Sequence, residues 1–180
     1  MTVLTTLRLT LRPNRLTDAA AIATGLNNFA VAGNLSTVPF PYGEADALAW
    51  LKSLPVRPTP LNACFAIERN GEVIGNLGFH GRGDHAEVGY WLAEPHWGLG
   101  YMREAARAAV DWYFETSNAE LLTSGVFYFN PASLAVQTRL GFVQVTVGTR
   151  LCLARAIELR HIETELPRAR WAALAKERAQ

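Results

Sequence analysis

Leu7, Leu9 and Leu11 alternate with Arg8, Thr10 and Arg12, which predicts a strand that Pro13 stops. Thr17 or Asp18 then stands where a side-chain oxygen can take an orphan N–H, opening a helix through Leu26. The bend Pro39-Phe-Pro-Tyr-Gly43 precedes a short helix over Ala45 to Leu54, and Pro55, Pro58 and Pro60 end it in a surface crossing. Cys64 to Arg69 and Glu72 to Phe79 flank Asn70-Gly71, a hairpin turn whose two residues both need positive φ. Gly81-Arg-Gly-Asp84 leads into a third strand over Ala86 to Leu92. From Gly100 the period changes. Met102, Ala106, Ala109, Val110 and Tyr113 fall on one helical face that reaches Thr116.

Leu122 to Phe129 is apolar without clean alternation, the pattern of a strand buried on both faces. Pro131 suits a first helical turn, and Gly141 after Leu140 suits its left-handed cap. Phe142 to Leu153 and Ile157 to Leu166 predict a last antiparallel pair, and Pro167 opens a helical tail carrying Trp171. A meander followed by a strand–helix–strand crossover predicts an α+β domain, with helices on both faces of a mixed, mostly antiparallel sheet.

With 180 residues and no linker or repeat, residues 1–180 are expected to form a single domain, the tail beginning at about residue 167. The net charge of +1 gives no reason to expect nucleic acid or an anionic membrane as partner. Cys64 and Cys152 are too few and too far apart for a disulfide framework or a cysteine zinc site, and no metal is expected. The first fifteen residues lack the apolar core of a signal peptide, and the uncharged stretches are broken by Gly, Pro and Asn. The expectation is a cytoplasmic protein.

The sharpest chemistry lies in Trp91-Leu-Ala-Glu-Pro-His-Trp97-Gly-Leu-Gly100-Tyr-Met-Arg-Glu-Ala105, where a strand runs through Gly98-x-Gly100 directly into a helix. Glycines remove the Cβ atoms that keep a ligand off the backbone, and the first helical turn offers unpaired N–H groups at the positive end of its dipole. That combination suits a pyrophosphate. A mononucleotide loop needs Gly-Lys-Ser/Thr, which is absent. A dinucleotide fingerprint needs a third glycine where Arg103 stands, after a parallel strand. Coenzyme A is left, against the plainer alternative of a tight turn whose glycines serve packing.

At this point the pattern resembles the GNAT superfamily of acetyl-CoA-dependent N-acetyltransferases, in its RimJ/RimL-like branch. The matching residues are Leu7-Arg-Leu-Thr-Leu-Arg12-Pro13, Gly71-Glu-Val-Ile-Gly-Asn76, Glu87-Val-Gly-Tyr-Trp-Leu92, Trp97-Gly-Leu-Gly-Tyr101 with Glu104-Ala105, Asn130-x-x-Ser133 and Leu140-Gly-Phe142. The resemblance implies six or seven strands, splayed into a V between the fourth and fifth, with the cofactor's pantetheine in the gap. Two positions depart from the superfamily's Gln/Arg-x-x-Gly-x-Gly/Ala loop: Trp97 in its first place and Met102 in its last. Met102 either points back into the core and leaves its N–H free or blocks the phosphates.

The resemblance also implies roles. Acetyl-CoA would be the co-substrate, held by Leu92, Trp97, Gly98, Leu99, Gly100, Tyr101, Met102, Arg103 and Asn130. Glu87 would be the base that takes a proton from the amine, directly or through water, with His85 as second candidate; the plain alternative is a glutamate paired with Arg82 or His85. Ser133 would serve the departing thiolate, whereas Asn130 and Ser133 also fit simple helix capping. A backbone N–H near Leu92 would meet the thioester oxygen. Phe40 and Tyr42 would face the acceptor, a peptide α-amine or a small amine, unless they are packing anchors. Transfer to a primary amine is the expected activity, a non-catalytic acyl-CoA-binding module the alternative. A monomer or homodimer fits equally.

Overall fold

A computed structural model describes residues 2–178. The strands are β1 Leu4–Thr5, β2 Thr10–Pro13, β3 Ala63–Arg69, β4 Glu72–Arg82, β5 His85–Leu92, β6 Leu121–Phe127, β7 Val143–Cys152 and β8 Ile157–Pro167. The helices are α1 Ala19–Leu26, α2 Phe29–Ala32, α3 Glu44–Ser53, α4 Tyr101–Thr116, α5 Pro131–Leu140 and α6 Arg168–Arg178. All eight strands form one sheet in the order β1-β2-β3-β4-β5-β6-β8-β7, antiparallel except where β5 meets β6. No helix among the described residues is long and apolar enough to cross a membrane.

The eighth strand arises at the N-terminus, where one predicted strand divides in two. Leu7 sits at the tip of the turn and is exposed, because Thr6 N–H closes onto Leu9 carbonyl oxygen; only Leu9 and Leu11 reach the core. The Asn70-Gly71 turn has the expected positive φ at both residues, 51° and 85°. Strand β6 ends at Phe127, and its burial is incomplete: Leu122, Ser124, Val126 and the terminal Phe127 are buried, while Thr123 and Gly125 between them stay half-covered. Their face opens on a gap in the sheet, which is why full burial on both sides fails. Helix α2 is too short for periodicity to reveal.

The gap is the V expected between the fourth and fifth strands of the sequence reading, here β5 and β6. These two strands register only at Ala86–Leu122 and Glu87–Thr123 and then part. The vertex is stapled. Tyr113 Oη accepts from Ala86 N–H (3.1 Å) and donates to Leu121 carbonyl oxygen (2.8 Å), while Thr123 and Ser124 hydroxyls donate to the carbonyls of Ala86 (3.1 Å) and Val88 (2.9 Å).

Helices α4 and α5 cover one face and α1 and α3 the other. The predicted stripe of α4 packs on the sheet, with Met102, Ala106, Ala109, Val110 and Tyr113 all buried in the larger core cluster. A second cluster gathers Ile22, Leu26, Tyr42, Ala47 and Leu51 around α1 and α3, against Trp91. Trp171 fits the tail reading, stacked on Phe114 at 5.0 Å with its indole N–H on Asp111 (2.7 Å).

Asp18 does not cap α1. Its carboxylate takes Arg15 N–H (2.7 Å) and both terminal nitrogens of Arg12 (2.9 Å each), all but buried. Burial by itself would raise the Asp18 pKa, but the Arg12 and Arg15 bonds outweigh it and hold the carboxyl below its ordinary value. Removing one member of a buried pair strands the other, so Asp18→Asn is expected to cost about 3 kcal/mol in urea denaturation. The stabilisation is complete above the ordinary aspartate range and is lost as pH falls through Asp18's lower folded value.

Candidate active site

The loop between β5 and α4 is built for close approach of a ligand. Gly98 and Gly100 adopt positive φ, 72° and 80°. A Cβ at Gly98 would meet nothing within 4 Å, so that side of the backbone opens on space. Helix α4 makes its first intrahelical bond from Glu104 N–H to Gly100 carbonyl oxygen (3.1 Å), and Gly100 has no side chain with which to cap. The N–H groups from Gly98 to Arg103 therefore find no acceptor among the described residues. Met102 points into the core at 9% exposure, which leaves its N–H free. The residues fit a diphosphate.

Two side chains hold this loop: Arg8, which the sequence reading left without a role, and Trp97, expected there as a cofactor contact. Arg8 donates Nη1 to Leu99 carbonyl oxygen (3.0 Å) and Nε to Glu104 (2.7 Å), and its guanidinium lies 4.5 Å from the Tyr101 ring centre. Trp97 turns its indole N–H onto Leu92 carbonyl oxygen (2.8 Å), tying the loop to the end of β5. The signal for Arg8 was its place in the N-terminal motif, but its partner Glu104 lies 96 residues away.

Along the splayed edge, the antiparallel alternation between β4 and β5 fixes which groups face the gap. Ala93 N–H bonds Ile74 carbonyl oxygen (2.9 Å), so the neighbouring pair Leu92–Gly75 is non-bonded and Leu92 turns its N–H away from β4. Tyr90 does the same. With β6 already departed, both N–H groups lie free along the cleft, the arrangement that accepts an extended amide-bearing chain as an added strand.

The cleft itself, about 680 Å³, passes through the sheet between these strands. Even-numbered residues of β5 face α5. There Tyr90 Oη lies 3.0 Å from Ser133 Oγ and 3.2 Å from Ser133 carbonyl oxygen. Burial pushes the Tyr90 phenol up to about 12, so it stays protonated. Ser133 is further fixed by the α5 N-cap, in which Asn130 Oδ1 accepts Ser133 N–H (3.1 Å). The capping alternative is thus realised, and it leaves the Asn130 amide NH₂ without a partner among the described residues, on the cleft wall. Buried Gln137 locks α5 in place, donating to Ser124 Oγ (3.1 Å) and accepting from Thr164 Oγ1 (2.8 Å).

Odd-numbered residues of β5 face α1 and α2. Glu87 lies in the cleft on this side, bonded to Arg82 (2.9 Å) and to Arg150 on β7. Burial would raise its pKa, but the two arginines outweigh that and hold it below the ordinary glutamate value. His85 is drawn off by Asp84 (2.9 Å). Arg150 also reaches Glu163 (3.4 Å), which bonds His161 Nδ1 (2.7 Å). The sequence reading missed Arg150, Glu163 and His161, because nothing short-range links β5 to β7 and β8.

Phe40 and Tyr42, expected to face an acceptor, lie away from this cleft. Tyr42 is buried in the α1–α3 cluster and Phe40 packs edge-on against Phe29 at 5.3 Å; neither lines the cleft. The wall there is Val31, Asn34, Leu35 and Ser36. Arg155 anchors it, lying 4.8 Å from the rings of both Phe29 and Phe129 and donating to Gly33 carbonyl oxygen (2.8 Å).

Comparison with known proteins agrees with this geometry. Residues 8–143 match the model of the acetyltransferase (GNAT) domain. The chain is 29% identical over 147 residues to the uncharacterized N-acetyltransferase p20 of Bacillus licheniformis, covering 79% of this chain and 83% of that one. Among solved structures, RimL, a ribosomal α-N-protein acetyltransferase in complex with coenzyme A, superposes with a TM-score of 0.81 at 18% identity, over 92% of this chain and 98% of that one. RimJ of Mycobacterium smegmatis, in complex with a coenzyme A disulfide, gives 0.79 at 21% identity over 97% and 95%. The free N–H cradle, the splayed strand edge and the family match over residues 8–143 together place the chain in the GNAT family of acetyl-CoA-dependent N-acetyltransferases.

Proposed function

We propose that this chain is a RimJ/RimL-like enzyme that transfers acetyl from acetyl-CoA to the α-amine of a peptide, by direct attack of the amine on the thioester. The observation that carries the reading is two sets of free donors lining one cleft, the Tyr90 and Leu92 N–H groups on the strand edge and those of Gly98 to Arg103 in the loop, with the Tyr90–Ser133 pair beside the strand edge. The loop N–H groups would hold the diphosphate, with Arg103 at its rim. The Asn130 amide and the free strand edge would hold the pantetheine amides, and Leu92 N–H would receive the thioester oxygen.

In this reading the amine nitrogen bonds the acetyl carbon as the C–S bond breaks, and the amine's proton leaves on the acceptor side. Ser133 turns its hydroxyl hydrogen to the departing sulfur while Tyr90 donates to Ser133 Oγ. Glu87, clamped by two arginines, is a weak base. It serves by fixing Arg150 and by giving an oxygen to a water or to the incoming ammonium.

The acceptor assignment rests on charge and shape. Glu87 and Glu163 are matched by Arg82 and Arg150, and the wall Val31, Asn34, Leu35, Ser36 is uncharged, so no acidic surplus draws a polycation. The activity named for RimL, on a protein α-amine, points the same way. Thiol release from acetyl-CoA with hexapeptides beginning in free Ser or Ala, set against acetyl-blocked copies, small amines and a polyamine, tests it. Turnover confined to free peptide N-termini is expected. Turnover only with small amines would move the acceptor class, and coenzyme A binding without thiol release from any amine would make the chain a binding module.

A further inference from the structure

We propose that His161, oriented by Glu163, is the group that takes the acceptor's proton. It lies on β8, opposite Phe127 of β6, on the α1–α2 side of the sheet where the acceptor wall stands. Ionised Glu163 can only accept, so the 2.7 Å bond to Nδ1 fixes the tautomer with its hydrogen there and leaves the Nε2 lone pair without a partner among the described residues. The imidazole is 4% exposed yet lines the cleft.

Its position depends on a missing Cβ. Gly125 of β6 sits where β5 and β6 have parted, and a Cβ on it would overlap the imidazole ring and press on Glu163. Across the gap Gly89 holds the equivalent place on β5, and a Cβ there would meet nothing within 4 Å. Gly89 thus leaves the β5 side of the gap open, and Gly125 makes room for the imidazole on the β6 side, so an amine crossing the gap would pass the ring.

The charged groups facing His161 are Glu163 on its own strand, Arg150 from β7 and Glu87 from β5; β6 presents Phe127, edge-on at 5.2 Å. Burial lowers its pKa most, Arg150 adds to that, and Glu163 with Glu87 opposes it, so the net value lies below the ordinary histidine one. The ring is therefore neutral at pH 7 and able to receive a proton. The amine's lone pair forms the C–N bond as the C–S pair leaves on sulfur; its N–H bond breaks, that pair stays as the amide nitrogen's lone pair, and the proton passes to Nε2. The thiolate takes its proton through Ser133, and imidazolium later loses its own to solvent.

This inference rests on the acetyl-transfer reading, and kcat measured from about pH 5 to about pH 9 separates the two. With acetyl-CoA and the better of the Ser- and Ala-initiated hexapeptides at saturation, wild-type kcat is expected to fall on the acid side through an inflection below about 6.5. His161→Gln should lower kcat about a hundredfold and abolish that inflection, with coenzyme A binding within about twofold of wild type. Glu163→Gln removes a bond that raises the His161 pKa, so it should move the inflection further to acid. This variant decides the matter if His161→Gln fails to fold. Unchanged inflections in the variants, or a wild-type limb that bends only near the carboxylate range, would overturn His161 as the base and leave acetyl transfer standing. A wild-type protein that binds coenzyme A but acetylates no amine would overturn both.

Discussion

Replacing Ser133 with alanine is expected to lower kcat about a hundredfold while the KM for acetyl-CoA moves less than about threefold. The split follows from where Ser133 sits. Its hydroxyl contacts Tyr90 Oη and neither the phosphate loop nor the free strand edge, so its loss removes help to the departing sulfur and leaves binding intact. The N-cap survives in the variant, since Asn130 bonds the backbone N–H of residue 133 and not its side chain. Tyr90→Phe should reproduce part of the loss, about tenfold, because the phenol acts through the serine. Steady-state kinetics on both variants and their double mutant checks this. A combined loss equal to that of Ser133→Ala alone places the two groups in one pathway, and independent losses would separate them.

Replacing Gly98 with valine is expected to weaken coenzyme A binding at least thirtyfold, or about 2 kcal/mol. Two effects combine. A β-branched residue resists the positive φ of 72° found there, which loosens the alignment of the following N–H groups. Its side chain also fills the open space beside the backbone, the space a diphosphate needs. The fold should persist, because a left-handed residue costs about 1–2 kcal/mol against a typical stability of about 5–15 kcal/mol. Gly71→Val is the control: its φ is 85° with nothing within 4 Å, but it lies in the β3–β4 turn. Equal destabilisation with undiminished coenzyme A affinity is expected there.

What the sequence made legible was what is encoded locally. The Asn70-Gly71 turn, the α4 stripe and the glycine loop each declare themselves within a few residues, and each stands close to where it was expected. Leu7 misled because alternation is the same whether a strand runs on or folds back at a tip. Phe40 and Tyr42 misled for a related reason: an aromatic pair in a Pro-rich loop looks alike whether it faces a substrate or anchors a hydrophobic cluster. The Glu87–Arg150–Glu163–His161 chain was invisible because it joins three strands that meet only in the folded sheet, with Arg150 and Glu87 separated by 63 positions. Glu87 was found, but its chemistry was set by arginines that spacing could not place beside it.

Titration calorimetry of the wild-type chain with coenzyme A tests the central claim, that the bare N–H groups of residues 98–103 hold a diphosphate. One site per chain with micromolar affinity, lost in Gly98→Val and kept in Gly71→Val, is the expected result. No heat at about 1 mM coenzyme A, or an affinity equal in wild type and Gly98→Val, would contradict it.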